Sequence, residues 1–467
     1  MPPKGAGLSR RQAVAGLAGA ALAGGAAAWP WTDGTKPVPA APAANGPLLW
    51  TADVEFADGA FFGPVTPAGL LVIERPFAVQ GRQGTRATAL SCLDVATGRR
   101  LWSVPFAPSL GTLRQVAVTG SIVLVRTEGA LQAREHRTGR PIWRHDRPTT
   151  NLGKPMVLGV GGLVLDITEN ESGTEFTPPF AVEAYEPRGG RLRWSTTVQP
   201  RVWTPKPTIY AEGTLFGAAV TSAPGAGQTA FLYAVDAATG RQRWWRALKR
   251  DLEQTPAMTL AHARGSVFVS LDGGLLIAVD ASTGAIRWST RVDLDGRGGR
   301  PPQGADVPVT AGTTVYLCCA DGALRAFDMR DGRRRWEFAM DEEPSSMKSV
   351  PARPRPIVTG DLVYVTSLGT AATGFKGAMH VLGADDGKPR WRRPAYNSHG
   401  GPLMGRGVLY LSDGASVTAY DAATGNVRLR LDRRALDQAG SRTEMVTDGA
   451  RLFVLARAQV LALSMGS

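Results

Sequence analysis

Apolar and polar positions alternate along this chain in short runs, and the runs come back. In LYAVDAATGRQRWW, residues 232–245, Leu232 and Ala234 share one face of a predicted strand and Tyr233 and Val235 the other. Asp236 to Gly240 form a turn: an aspartate accepts from backbone amides within it, and glycine takes the positive-φ position that closes the hairpin. The residues after it are the return strand, whose tryptophan can bury about 150–250 Å² against a neighbour. The unit recurs from Leu90, Leu131, Val182, Leu232, Leu276, Leu324, Met379 and Val417. It ends at Trp102, Trp143, Trp194, Trp244, Trp288, Trp336, Trp391 and finally Leu429. These ends lie 38 to 55 residues apart, the spacing of propeller blades.

Upstream of each copy comes a short apolar stretch, a glycine turn and an aromatic or β-branched strand. Examples are PVTAGTTVYLCC (308–319), PIVTGDLVYVTS (356–367) and PLMGRGVLYLS (402–412). Each repeat is therefore four strands joined by three hairpin turns, with no long helical period. Such units stack radially, so the expected fold is all-β, a β-propeller of four-stranded blades. The chain ends complete one unit. TEMVTDGARLFVLARAQVLALS (443–464) has three strands and no tryptophan strand, and PLLWTAD (47–53), with Trp50, is a tryptophan strand with no unit before it. Joining them in one blade closes the ring and removes two free sheet edges.

The recurring A-x-D-x-x-T-G-x-x-x-W resembles the PQQ-like, quinoprotein-type propeller repeat over residues 47–464. The resemblance implies eight blades, whereas eight complete units and one split unit make nine. Eight is the expectation kept here, with one weak unit as an insertion outside the ring. The weak units are those where Glu135 and Glu186 replace the turn aspartate, Gly383 removes it, and Leu429 replaces tryptophan. Quinoprotein alcohol dehydrogenases of this type imply PQQ in the central funnel, a calcium ion, a catalytic aspartate, a stacked tryptophan and often a disulfide between adjacent cysteines. Cys318 and Cys319 are adjacent, but VYLCCADG reads as a plain strand running into a turn, where neighbouring side chains point apart. No stretch matches the catalytic aspartate region, and no haem-attachment C-x-x-C-H occurs. The expectation is no catalytic residue and no cofactor, with PQQ and calcium as the alternative. The chain is more similar to the non-catalytic branch: outer-membrane assembly scaffolds and the extracytoplasmic propellers of some actinobacterial Ser/Thr kinases. It carries no kinase signature of its own.

Composition adds compartment and charge. Three cysteines in 467 residues exclude a disulfide framework, and the five histidines show no zinc-ligand spacing. The formal net charge of +13 favours acidic partners without choosing among them. Ser9-Arg10-Arg11 precedes a mildly apolar run, 13–28, that ends in Ala26-Ala27-Ala28. This resembles a twin-arginine export signal, although Ala13 stands where a bulky apolar residue is usual. The run is short for a membrane span; with Trp29 and Trp31 it just reaches, so membrane anchoring through residues 12–31 stays open. Residues 1–32 are thus read as export signal or anchor, 33–46 as a Pro/Ala linker and 47–467 as the propeller, outside the cytoplasm in either case.

Propeller ligands sit on loops leading from one unit's tryptophan strand to the next unit's first strand, where the sequence does not repeat. TVQPRVWTPKP (197–207) holds Arg201, Trp203 and Lys206. VDLDGRGGRPPQGAD (292–306) holds Arg297 and Arg300 beside Asp293 and Asp295, and PAYNSHGG (394–401) holds Asn397 and His399. The second loop lacks the bidentate glutamate of a calcium loop, so no metal ligand is assigned. Arg193, Arg243, Arg287, Arg335, Arg390 and Arg428 each precede the tryptophan position by one. On an outermost strand they guard the edge against strand addition, or alternatively form a basic rim for an anionic polymer. The expected protein is a monomeric, exported binding or scaffolding propeller whose partner is an envelope protein or anionic polymer and not nucleic acid. The alternative is a PQQ- and calcium-dependent oxidoreductase of alcohols or sugars.

Overall fold

The structure, a computed structural model, describes residues 48–54, 61–74, 88–106, 113–127, 129–146, 156–168, 181–198, 204–221, 227–252, 257–271, 274–292, 307–319, 321–340, 355–367, 376–396, 401–412, 416–432, 444–456 and 459–465. Among these are nine antiparallel four-stranded sheets and no helix, arranged as the blades of a β-propeller. Nine agrees with the repeat count and corrects the eight that the family resemblance implied. The weak units build complete sheets because the turn tolerates substitution. Thr138 Oγ1 donates to Glu135 Oε2, and Gly139 N to Glu135 O (2.8 Å). Where Gly383 stands, Gly387 N still donates to its carbonyl (2.9 Å) and Asp386 accepts from Lys388 N (2.9 Å).

Blades 1 to 8 span 61–106, 113–146, 156–197, 204–252, 258–291, 309–339, 357–396 and 403–432, their strands paired in chain order from innermost to outermost. The closing blade is composite. Leu48–Asp53 is its outer strand and pairs with Gln459–Ser464, followed inward by Arg451–Ala456 and Glu444–Thr447. Trp50 faces Ala462 as Trp288 faces Ala278 in blade 5, so the two ends of the chain reproduce the register of a continuous unit.

Alternation in the strands sends apolar side chains to both faces of every blade, and nine separate cores form between neighbours. One of them joins Phe268, Leu276 and Ala278 of blade 5 to Val315, Leu317 and Phe327 of blade 6. Eight of the nine carry the same tryptophan lock. The indole of Trp288 lies on the turn of blade 6, its Nε1 donating to Met329 O (2.9 Å), and a Cβ added at Gly332 would lie 2.5 Å from Trp288 Cε3. Trp50, Trp102, Trp143, Trp194, Trp244, Trp336 and Trp391 do the same to Val95, His136, Pro187, Ala237, Ala281, Ala384 and Ala422 of the following blade. The turn glycine therefore has two reasons to be glycine: Gly332 has φ 71°, and an indole occupies the place of its side chain. Two residues beyond the tryptophan a second bond often follows, as from Thr290 Oγ1 to Gly332 O (3.0 Å) and from Arg246 Nε to Gly284 O (2.7 Å).

The ladder between third and outer strands slips at the same place in each of blades 1 to 8. In blade 5, Ala278 faces Trp288 and Val279 faces Ile286, which leaves Arg287 as the extra residue of a β-bulge. The six arginines noted in the sequence are these bulged residues. Freed from the ladder, Arg243, Arg287, Arg335 and Arg428 reach back to Asp236, Asp280, Asp328 and Asp421 of their own turns; Arg193 pairs with Glu186 and Arg390 with Asp386. Each is thus paired with an acid of its own blade.

The same bonds set a pH limit. Arg243 and Thr239 hold the Asp236 carboxyl down to about 2, and Arg428 and the Thr424 amide hold Asp421 down to about 2. Ser282 with Arg287, and Arg335, hold Asp280 and Asp328 well below the usual carboxylate range. A carboxylate whose folded pKa is depressed stabilises above its unfolded value, about 3.9, and loses that contribution as pH falls through the folded one. Thermal melts are thus expected to be level above about pH 5 and to fall steeply between about pH 4 and 2. A melting point that stays constant down to pH 2 would show that these turns do not support the ring.

Candidate functional site

One end of the ring is formed by the tight turns just described. At the other end the outer strand of each blade leads to the inner strand of the next, and second strands lead to third. By sequence, the proposed ligand residues fall in or beside connections from an outer strand to the next inner strand. Arg201, Trp203, Arg297, Arg300, Asn397 and His399 lie outside the described residues. Lys206 is in the inner strand of blade 4, Thr204–Ala211, and its side chain is likewise outside the description. The structure neither gathers these residues into one site nor separates them.

The strand ends beneath that face hold polar groups the sequence reading missed. Arg126 of blade 2 and Asp166 of blade 3 meet at 3.1 Å, with side chains 3 % and 0 % exposed. A buried ion pair is tolerable only when its remaining donors are also satisfied, and Arg126 Nη1 donates to the carbonyl of Thr127 as well. In blade 6, Arg325 grips Asp321 (Nη1–Oδ1 3.0 Å) and Glu337 (3.1 Å), tying the connection between second and third strands to the outer strand. In blade 7, His380 Nε2 lies 3.1 Å from Ser367 Oγ, and its ring is 5.3 Å from Phe338 of blade 6. The available signal was a polar residue at a core-facing position in an otherwise apolar strand, as in IVLVRT and LVLDIT. The sequence does not say which partner each one finds in the next blade.

Toward the axis the inner strands present mainly half-exposed apolar residues. Two polar ones clasp neighbouring blades: Gln115 Oε1 accepts from Val157 N (2.6 Å), and Glu444 Oε2 accepts from Phe62 N (2.9 Å). Among the described residues no group of three or more His, Cys, Asp or Glu side chains is placed to hold a metal ion. Cys318 is buried in the core between blades 6 and 7 and Cys319 in that between blades 5 and 6, neither in a disulfide. They point to opposite faces of one strand, so they form no planar slot of the kind a PQQ ring would need beside them. The alternate cofactor reading does not fit these two residues.

Comparison with known proteins follows this geometry. The family of PQQ-type repeats described as outer membrane protein assembly factor BamB matches residues 3–154, 86–177, 180–263, 257–376 and 354–467. The outer membrane protein assembly factor BamB of Burkholderia pseudomallei is 26 % identical over 309 residues, which cover 58 % of this chain and 73 % of that protein. The Ser/Thr-protein kinase AfsK of Streptomyces griseus is 34 % identical over 161 residues, 34 % of this chain and 18 % of the kinase. Among solved structures, the quinohemoprotein alcohol dehydrogenase of Comamonas testosteroni aligns with a TM-score of 0.51 at 15 % identity, covering 90 % of this chain and 76 % of that one. That likeness shows the fold alone.

Proposed function

The chain belongs to the family of PQQ-type repeat propellers described as outer membrane protein assembly factor BamB, and on that premise we propose that it is an exported, non-catalytic scaffold of the cell envelope that binds another envelope protein. One observation carries the reading. The polar groups that repeat from blade to blade are consumed within the scaffold: turn aspartates by arginines of the same blade, and indoles by carbonyls of the next. What varies, and is therefore free to specify a partner, is the set of connections between blades. Its relative in Burkholderia pseudomallei is named as an assembly factor, which supports the same role. Export through residues 1–32 belongs to this proposal, as does a protein partner bound by Arg201, Trp203, Lys206, Arg297, Arg300, Asn397 and His399.

Thermal melts of the full chain with and without PQQ plus calcium separate this reading from an oxidoreductase. A ligand at about 100 times its dissociation constant adds about 2.7 kcal/mol of stability. No shift is expected; a clear upward shift would overturn the scaffold reading. In parallel, photocrosslinking from position 203 in intact cells should trap an envelope protein, and Arg201→Glu with Arg297→Glu should abolish the crosslink without lowering the melting point.

A further inference from the structure

We infer that the ring has one built-in opening point, the seam between blade 8 and the closing blade. Eight interfaces are fastened by an indole that donates to a carbonyl of the next blade and lies on its turn glycine. At the ninth, the indole half of that lock is missing. Leu429 takes the tryptophan place, opposite Ala419, and leucine has no N–H to donate. The closing blade has no covalent turn between its third and outer strands, because these are Gln459–Ser464 and Leu48–Asp53. The acceptor side is thus not a continuous hairpin: Met465 stands at the place that Ala281 holds in blade 5, and the strand that follows comes from the other part of the chain.

What fills the seam is looser chemistry. Leu429 and Leu431 are only partly buried. Met465 fills the gap over Gly405, where an added Cβ would lie 2.2 Å from its Cε, and Thr447 Oγ1 lies 2.9 Å from its sulfur. A thioether is a weak acceptor and an unbranched, adaptable filler, whereas the other eight seams hold a rigid ring by a hydrogen bond. In a closed ring a separation at one seam leaves the other eight cores intact, and the seam that lacks the indole hydrogen bond opens first. The device makes the channel accessible from the side while Trp50 keeps the closing blade fastened to blade 1 through Val95.

Two measurements on the full chain test this. In hydrogen exchange, Glu444–Thr447 and Arg451–Ala456 should exchange well before Ser266–Leu271 of blade 5; equal protection of the two regions would overturn the inference. In brief peroxide treatment followed by peptide mass spectrometry, Met465 should oxidise about tenfold faster than Met258 and Met379, which are equally shielded but sit in locked cores. A frayed chain end alone would release Met465 while Arg451–Ala456 stayed protected, and that combination also rejects a seam. Trp288→Leu copies the leucine half of the seam between blades 5 and 6. It should bring Met329 to the Met465 rate and leave Met465 unchanged, and an unaffected Met329 would mean that the indoles are not what keeps seams shut.

Discussion

Replacing Trp288 with alanine is expected to cost about 3–5 kcal/mol of stability, the range for emptying a large buried aromatic site. The indole is 9 % exposed, packs 6.0 Å from Phe268 centroid to centroid, and donates to Met329 O. Alanine removes the ring from the core between blades 5 and 6 and leaves the Met329 carbonyl without that donor, so cavity and hydrogen-bond losses fall on one interface. The control is Leu429→Ala. Leu429 is only partly buried and makes no cross-blade hydrogen bond through its side chain, so its removal should cost about 1–2 kcal/mol, below the range for fully buried leucine. Urea denaturation followed by tryptophan fluorescence compares the two; equal losses would mean that the indole contributes nothing beyond its size. Since each blade meets only its neighbours, the Trp288 variant should also broaden the transition, as a chain of nearest-neighbour interfaces does when one is weakened.

Much of this was legible in the residues. The turn aspartate, threonine and glycine announced the hairpins, and the split between residues 443–464 and 47–53 announced the composite blade. The blade number went wrong where family habit overruled counting: Glu135, Glu186 and Gly383 looked like failed turns, yet each closes through a backbone bond that does not depend on an aspartate. The six arginines before the tryptophan position were read as edge guards because their strand is the outermost of the blade. Their link to the turn acid required knowing that the ladder slips by one residue there, and a period of two cannot reveal a bulge. Arg126 and Asp166 stand one place apart in their repeats and so on opposite strand faces, and their meeting depends on how blades pack, a property of the ring and not of either strand. The candidate site was legible only as a location. Residues that do not repeat identify the face that carries specificity, while their mutual arrangement depends on connections that no repeat constrains.

The glycine partner of the lock should be as sensitive as the tryptophan, and the two should be coupled. Gly332→Ala places a methyl 2.5 Å from Trp288 Cε3 and 2.7 Å from Thr290 Oγ1, at a backbone φ of 71°. The left-handed backbone alone costs about 1 kcal/mol for alanine, and forcing the indole away adds about 1–3 kcal/mol, so a loss of about 2–4 kcal/mol is expected. The backbone part does not depend on the tryptophan and the steric part does. In a Trp288→Ala background the methyl enters the space the ring has left, and Gly332→Ala should cost only about 1 kcal/mol there. The double variant should therefore be more stable than the sum of single losses predicts by about 1–3 kcal/mol, the coupling expected for residues in direct contact. Gly312→Ala, in a turn of the same blade with φ 56° and no atom within 4 Å of the added carbon, isolates the backbone part and should cost about 1 kcal/mol in either background. If Gly332→Ala and Gly312→Ala cost the same in the wild-type ring, the indole yields freely. The tryptophans would then be plain filler between blades, and the contrast that singles out the ninth seam would disappear with them.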